Sequence, residues 1–315
     1  MSDFVELTEN QSRQYIDAQA LVRAQAEALE DAAQVRGSMI WRELRGVRYL
    51  IRTSAASAQK TIGPDSEDTR AIYERFMERK QSATARVKSM TARLEEQRKL
   101  NRLYGVGRAP NVIIKVLNAL QKAGIASQFL TVGTNAIYAY ESACGVRVGT
   151  EAMATRDMDL LFDTRQRAAF VSTLRRLATS LLTVLRKADP SFRVLRNQLQ
   201  TAVNDDGYEV DIIRRTAKDG DPHPLRMSSN EDDLWAVQVS SGEKMVAGRK
   251  FQQLVVAASG QMAMMQTLHP LDFVRIKTQL ASSLQRDPLK RPKDKLQAGV
   301  VQRLWDSYLQ HLEAA

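Results

Sequence analysis

At 315 residues the chain is longer than one compact core usually holds, so two or three subdomains are expected. Its 43% hydrophobic and 26% charged residues are ordinary for a globular chain and exclude wholesale disorder, a collagen-like repeat or a low-complexity fibre. Lys and Arg number 46 against 36 Asp and Glu, a net charge of +10 that favours polyanionic partners such as nucleic acid or nucleotide phosphates. No run of about 18 apolar residues is present, so no membrane partner is expected. The polar, acidic start MSDFVELTENQ lacks the basic and apolar segments of a signal peptide. Cys144 is the single cysteine, so no internal disulfide can form, and a reduced cytoplasmic location is the simplest expectation. With His223, His269 and His311 it makes no recognisable catalytic set.

In chain order, residues 1–104 are expected to form an N-terminal helical region, rich in Ala, Gln, Glu and Arg. Ile72, Phe76, Val87, Met90 and Leu94 recur at helical spacing, and residues 61–68 interrupt the pattern, with Asp65 or Ser66 suited to cap the next helix. Residues 36–60 carry Arg36, Arg42, Arg45, Arg48, Arg52 and Lys60 against Glu43 alone. This is either a solvated helix face or a basic ledge for a phosphate chain. Residues 105–218 read as a mixed α/β core. A helix starts at Pro110 and ends before Gly124, a strand covers 129–132, and a helix over 134–144 is closed by Gly145. A strand over 158–162 precedes a long helix over 165–187, with further strands at 192–196, 199–203 and 208–213. Residues 219–315 form a C-terminal region: a loop-like stretch over 219–230, short strands at 234–239 and 251–257, then helices over 271–284 and 292–312 with a basic tail. Met262, Met264 and Met265 read as adaptable core.

Three features of the centre carry chemistry. A strand ends in Val132-Gly133-Thr134-Asn135 and opens a helix. Asp157 and Asp159 flank Met158 in an apolar strand, and Asp211 stands alone in another. Residues two apart in a strand face the same way, so Asp157 and Asp159 project together and repel unless something positive lies between them. Magnesium suits such a pair, because it takes oxygen ligands and leaves positions open for phosphates. If the Asp211 strand lies beside theirs, three carboxylates converge as in two-metal phosphoryl displacement. Gly133 admits a phosphate close to the chain, at a helix start that favours anions. Taken singly, a Gly-Thr can be a simple helix cap and an Asp-x-Asp a turn; it is their order and placement that point to a site.

In that order the residues resemble the polymerase-β-like nucleotidyltransferase superfamily, whose signature is an apolar residue, Gly, Gly or Ser, then hDhDh and a later hDh. More narrowly, residues 133–141 and 154–161, the segment 207–213 and the tail residues Arg286, Asp287, Pro288, Lys290, Lys293, Asp294, Gln297 and Ala298 are similar to a bacterial family of stand-alone nucleotidyltransferases. Ile62, Gly63, Pro64, Phe76, Arg79 and Lys80 extend the likeness toward the N-terminus, and Thr134 departs from the usual Gly or Ser. The resemblance implies an α+β fold, a polymerase-β-like core of mixed sheet and helices flanked by N- and C-terminal helical regions. It implies that Asp157, Asp159 and Asp211 are catalytic and bind Mg2+ (or Mn2+), with Asp211 helping to activate the acceptor hydroxyl. Gly133 and Thr134 would cradle the phosphates of an NTP such as ATP. Lys277, otherwise a solvated helix residue, would reach the triphosphate. The reaction would move a nucleoside monophosphate from NTP to an acceptor, releasing pyrophosphate. RNA, a protein hydroxyl and a small molecule stay open as acceptor, oligomeric state stays open too, and a catalytically silent nucleotide- or RNA-binding module is the alternative.

Overall fold

The computed structural model describes residues 4–54, 57–218 and 220–313. Asp219, the first residue of the expected loop-like stretch, lies outside them. The chain forms two compact units, Arg13–Leu103 and the pair Met1–Ser12 with Tyr104–Ala315. Residues 105–218 and 219–315, expected as separate regions, therefore share one unit.

Arg13–Leu103 contains most of two long helices, Glu9–Gln34 and Glu67–Tyr104. They run antiparallel: Gln97 Nε2 donates to Gln14 Oε1 (3.0 Å), while Arg86 bonds Asp31 (2.6 Å) and Arg79 bonds Gln34 Oε1 (3.2 Å). Buried Thr69, Phe76, Ala83 and Gln97 recur in multiples of seven, the seam of a coiled-coil hairpin. Of the expected stripe only Phe76 is fully buried; Ile72, Val87, Met90 and Leu94 are half-buried. Ser66 caps the second helix, its Oγ accepting from the Thr69 amide (3.3 Å) while Thr69 Oγ1 accepts from the Ser66 amide (2.9 Å).

Between the helices the expectation of an all-helical 1–104 fails. Residues Ser38–Leu44, Val47–Thr53 and Gln59–Pro64 form a three-stranded antiparallel meander. The turn between its first two strands takes left-handed backbone at Arg45 and Gly46 (φ 54° and 76°), and Gly37 (φ 87°) leads from the first helix into the sheet. One face, carrying Met39, Trp41, Leu50 and Arg52, meets the second helix: Trp41 lies 5.9 Å from the Tyr73 ring and Arg52 sits 4.3 Å over Phe76. Arg42 and Arg48 lie on opposite faces of the first hairpin and Arg45 in its turn, so no helical face gathers them.

In the second unit the central sheet runs Leu225–Arg226, Trp235–Gln238, Glu209–Arg214, Asp157–Phe162, Phe129–Val132, with Gln198–Val203 and Arg193–Leu195 branching from the Glu209–Arg214 strand. The Asp157–Phe162 and Glu209–Arg214 strands are parallel, and Phe129–Val132 lies antiparallel on the other side. Period-two burial divides the sheet. Met158, Leu160, Phe162, Val210 and Ile212 face one core, packed by the helices Asn111–Lys122, Arg167–Arg176 and Leu181–Ala188. Fully buried Leu160 and Ile212 each contribute about 1.5–3 kcal/mol relative to exposure. Leu161 and Ile213 face a second core with Ile137, Phe273 and Val301 from the helices Ile137–Cys144, Pro270–Ser282 and Arg291–Leu304. The residues alternating with Leu161 and Ile213 on that second face are Asp157, Asp159 and Asp211.

Two local expectations are corrected. The long helix over 165–187 is broken: Ala178 takes φ 47°, and a new helix starts at Leu181, where Ser180 Oγ accepts from the Thr183 amide (3.1 Å) and Asp233 accepts from the amides of Leu181 and Leu182. Met262–Leu268 is a strand paired with Lys250–Val256, so Met265 is buried while Met264 points out, 39% exposed.

Candidate active site

The Phe129–Val132 strand ends at Gly133, whose φ of 68° turns the chain through Gly133–Ala136 into the helix Ile137–Cys144. An added Cβ at Gly133 would stand 2.5 Å from Asp159 Oδ2, so no other residue fits this turn without displacing the carboxylate. Beyond the turn, buried Asn135 donates through Nδ2 to the Asp157 carbonyl (2.6 Å), fastening the helix start to the aspartate strand. Helix closure by Gly145 is left-handed, at φ 65°.

Register brings the three aspartates together. Asp211 pairs with Asp159 across the parallel ladder, Glu209 pairs with Asp157, and Val132 pairs with Asp159 from the opposite side. Adjacent strands lie about 4.8 Å apart, so Asp211 is an immediate neighbour of Asp159. Each outer carboxylate is held by a hydroxyl: Thr155 donates to Asp157 Oδ1 and fully buried Thr201 donates to Asp211 Oδ1. Asp159 is pushed up to about 6, by burial first and then by the charges of Asp157 and Asp211, against the pull of Lys277 and Lys290. Burial and Asp157 likewise raise Asp211, although the Thr201 hydroxyl and Lys290 oppose them. Among the described residues no three Asp, Glu, His or Cys side chains stand in an assembled metal-holding group.

A cavity of about 340 Å³ opens beside the aspartates, lined by Gly133, Asp159, Ser240, Ser241, Lys277 and Arg286 among others. Lys277 is not a solvated helix residue. It is buried, its Nζ donates to Asp294 Oδ1 (2.7 Å), and burial lowers its pKa against that partner and Asp159. Asp294 is only 2% exposed; burial pushes it up, but hydrogen bonds from Arg286 (2.8 Å) and Lys277 outweigh that and hold it below the ordinary carboxylate range. Near the site, Tyr140 is fully buried, with its hydroxyl donating to the Leu268 carbonyl (2.8 Å), and Phe273 packs edge-on against it at 5.5 Å. Both belong to the core.

The tail residues supply what residue-by-residue reading left without a role. On the helix Arg291–Leu304, Lys293 Nζ donates to the Ala154 carbonyl (2.6 Å), Asp294 gathers Lys277 and Arg286, and Gln297 donates to Thr134 Oγ1 and the Ala152 carbonyl. Their spacing at 293, 294 and 297 places them on neighbouring positions of the helix surface, a signal legible in the sequence. Thr155, Thr201 and Tyr208, which approaches Asn135 Nδ2 at 3.4 Å, had no such signal.

Oxygen ligands on one sheet face, a glycine turn and a cavity with cationic walls form the kind of surface on which phosphoryl groups are transferred. The comparisons narrow that class. A family model described as "Nucleotidyltransferase" matches residues 111–315, well over half of the chain, and the chain belongs to that nucleotidyltransferase family. Transfer of nucleoside monophosphates is the family's general chemistry, with a nucleoside triphosphate as substrate. The match starts beyond Ile62, Gly63, Pro64, Phe76, Arg79 and Lys80, so the N-terminal part of the likeness stands outside it. Comparison with curated proteins gives no match, and comparison with solved structures gives none.

Proposed function

We propose that this chain is a divalent-cation-dependent enzyme of the polymerase-β-like superfamily, of bacterial type, moving a nucleoside monophosphate from NTP to a hydroxyl of RNA or protein. The observation that carries the reading is the register: Asp211 beside Asp159 on parallel strands, with the Gly133 turn against the Asp159 carboxylate. The donor set fits Mg2+ or Mn2+ by its chemistry. It offers oxygen ligands only, and the mutual repulsion that raises Asp159 is relieved by a hard cation. Mg2+ is usually held by one or two carboxylates together with substrate phosphates, so a ready-made three-ligand cage is not required. Bound there, the cation supplies positive charge to the triphosphate oxygens.

The chain's own residues do the rest. Asp157 and Asp159 would hold the cation and Asp211 would complete the set. Gly133 lets the phosphates approach the backbone next to Asp159, with Thr134 beside them. Lys277, aimed by Asp294, adds positive charge at the cavity wall, and Lys290 acts on the same carboxylates from the tail. Asp211, its carboxylate oriented by the Thr201 hydroxyl, takes the proton of the acceptor hydroxyl. The acceptor oxygen then bonds to the α-phosphorus as the bond from that phosphorus to pyrophosphate breaks. Incubating the full chain with each NTP, Mg2+ and pools of RNA and protein should add the mass of one nucleoside monophosphate to one of them, read by mass spectrometry. NTP binding with no mass added to either pool would favour the silent binding module instead.

A further inference from the structure

Gln297 sits on the helix Arg291–Leu304, fully buried and 163 residues from the phosphate turn it touches. Its Nε2 lies 2.8 Å from the Ala152 carbonyl and 3.0 Å from Thr134 Oγ1. A backbone carbonyl only accepts, so the group facing Ala152 must be the NH2 end of the amide. Its second hydrogen then goes to Thr134, whose hydroxyl oxygen accepts. A hydroxyl has one proton to give, and that proton stays available on the side of Thr134 turned away from Gln297.

The other end of the amide tells the same story. Gln297 Oε1 is buried without a hydrogen-bond partner. An unsatisfied buried carbonyl costs stability, a cost borne here while the NH2 end of the same amide serves Ala152 and Thr134. The position therefore keeps two donors at the expense of one stranded acceptor. Thr134 is half-buried and follows Gly133 directly, at the junction against Asp159 where phosphates are expected.

We propose that Gln297 is a positioning residue that holds the Thr134 hydroxyl as a hydrogen-bond donor toward the phosphates of the incoming nucleoside triphosphate. The inference rests on the reading of the site as a nucleotidyltransferase and adds the device that aims one of its phosphate contacts. It also gives the threonine a purpose: where glycine offers backbone alone, a hydroxyl needs an acceptor bond of its own to fix which way its proton points.

A double-mutant cycle in the full chain tests it, with Mg2+ and each of ATP, GTP, CTP and UTP as titrants in calorimetry and pyrophosphate release as the second readout. Thr134→Val removes the hydroxyl while keeping the shape, and should weaken binding of the preferred NTP about tenfold, as expected for a hydrogen bond to a charged group. Gln297→Met removes both donors while filling the space, and should weaken binding several-fold, raising KM more than it lowers kcat, in a chain that stays folded by circular dichroism. In the Thr134→Val background Gln297→Met should cost nothing further, whereas Thr134→Ser should retain the full Gln297 effect. Additive losses, or unchanged affinity in Gln297→Met, overturn the positioning role and leave the transferase reading intact. A parent chain that binds none of the four nucleotides overturns the transferase reading, and this inference with it.

Discussion

Asp159 occupies the least comfortable position in the molecule. Its strand neighbour Asp157 and its ladder partner Asp211 are both carboxylates, and the Gly133 turn closes over its Oδ2. Its folded-state pKa of about 6 stands above the ordinary 3.8. Between those values the folded chain keeps a proton that the unfolded chain has released, so its contribution to stability falls as pH rises through that window. Above pH 7 the ionised group costs on the order of 2–3 kcal/mol without a cation. Asp159→Asn should therefore raise the melting temperature in EDTA at pH 8 and change it little at pH 4, while abolishing turnover. Equal melting temperatures at pH 8 would mean that the carboxylate is not under strain.

At the scale of elements, the two C-terminal helices do more than cover the sheet. Lys277 from one and Arg286 from the segment between them converge on Asp294 of the other, with the acid nearly sealed from water. Removing the acid leaves the Lys277 charge buried and unpaired, so Asp294→Ala should destabilise the chain by about 3 kcal/mol in thermal or denaturant unfolding. An unchanged midpoint would show that the pair carries no net energy. Elements of this kind were unevenly legible. The strands of Asp157 and Asp211 could be read because each charge interrupts an apolar alternation that only a buried strand explains, and Pro110, Gly124 and Gly145 marked helix ends by their backbone limits. The meander over 38–64 could not: five basic side chains masked its period, and what folds it is contact of Trp41 and Arg52 with residues of a helix that comes later in the chain. Ala178 was equally silent, since its left-handed turn is imposed by Ser180 and Asp233 capping the next helix. The Thr201 hydroxyl that holds Asp211 depends on register, which spacing along one chain does not reveal.

For the whole molecule, the surplus of ten positive charges favours a polyanionic acceptor, and the unit Arg13–Leu103 holds a dense share of it. Arg42, Arg45 and Arg48 gather around one hairpin turn of the meander, all exposed. If RNA is the acceptor, reversing all three to Glu should weaken RNA binding for every sequence and flatten its salt dependence, because fewer counterions are released. NTP binding should stay as it was. RNA affinity unchanged at two salt concentrations would remove this surface from the account and favour another acceptor. The central claim, that Asp157, Asp159 and Asp211 form one site for nucleotidyl transfer, is tested most directly by the rate of pyrophosphate release from NTP with Mg2+ in the parent chain and in the Asp157→Asn, Asp159→Asn and Asp211→Asn variants. The account predicts release by the parent and a loss of at least about a hundredfold in each variant, with all four chains folded, as expected when a group binding the transition-state charge is removed. A variant that releases pyrophosphate at the parental rate would contradict it.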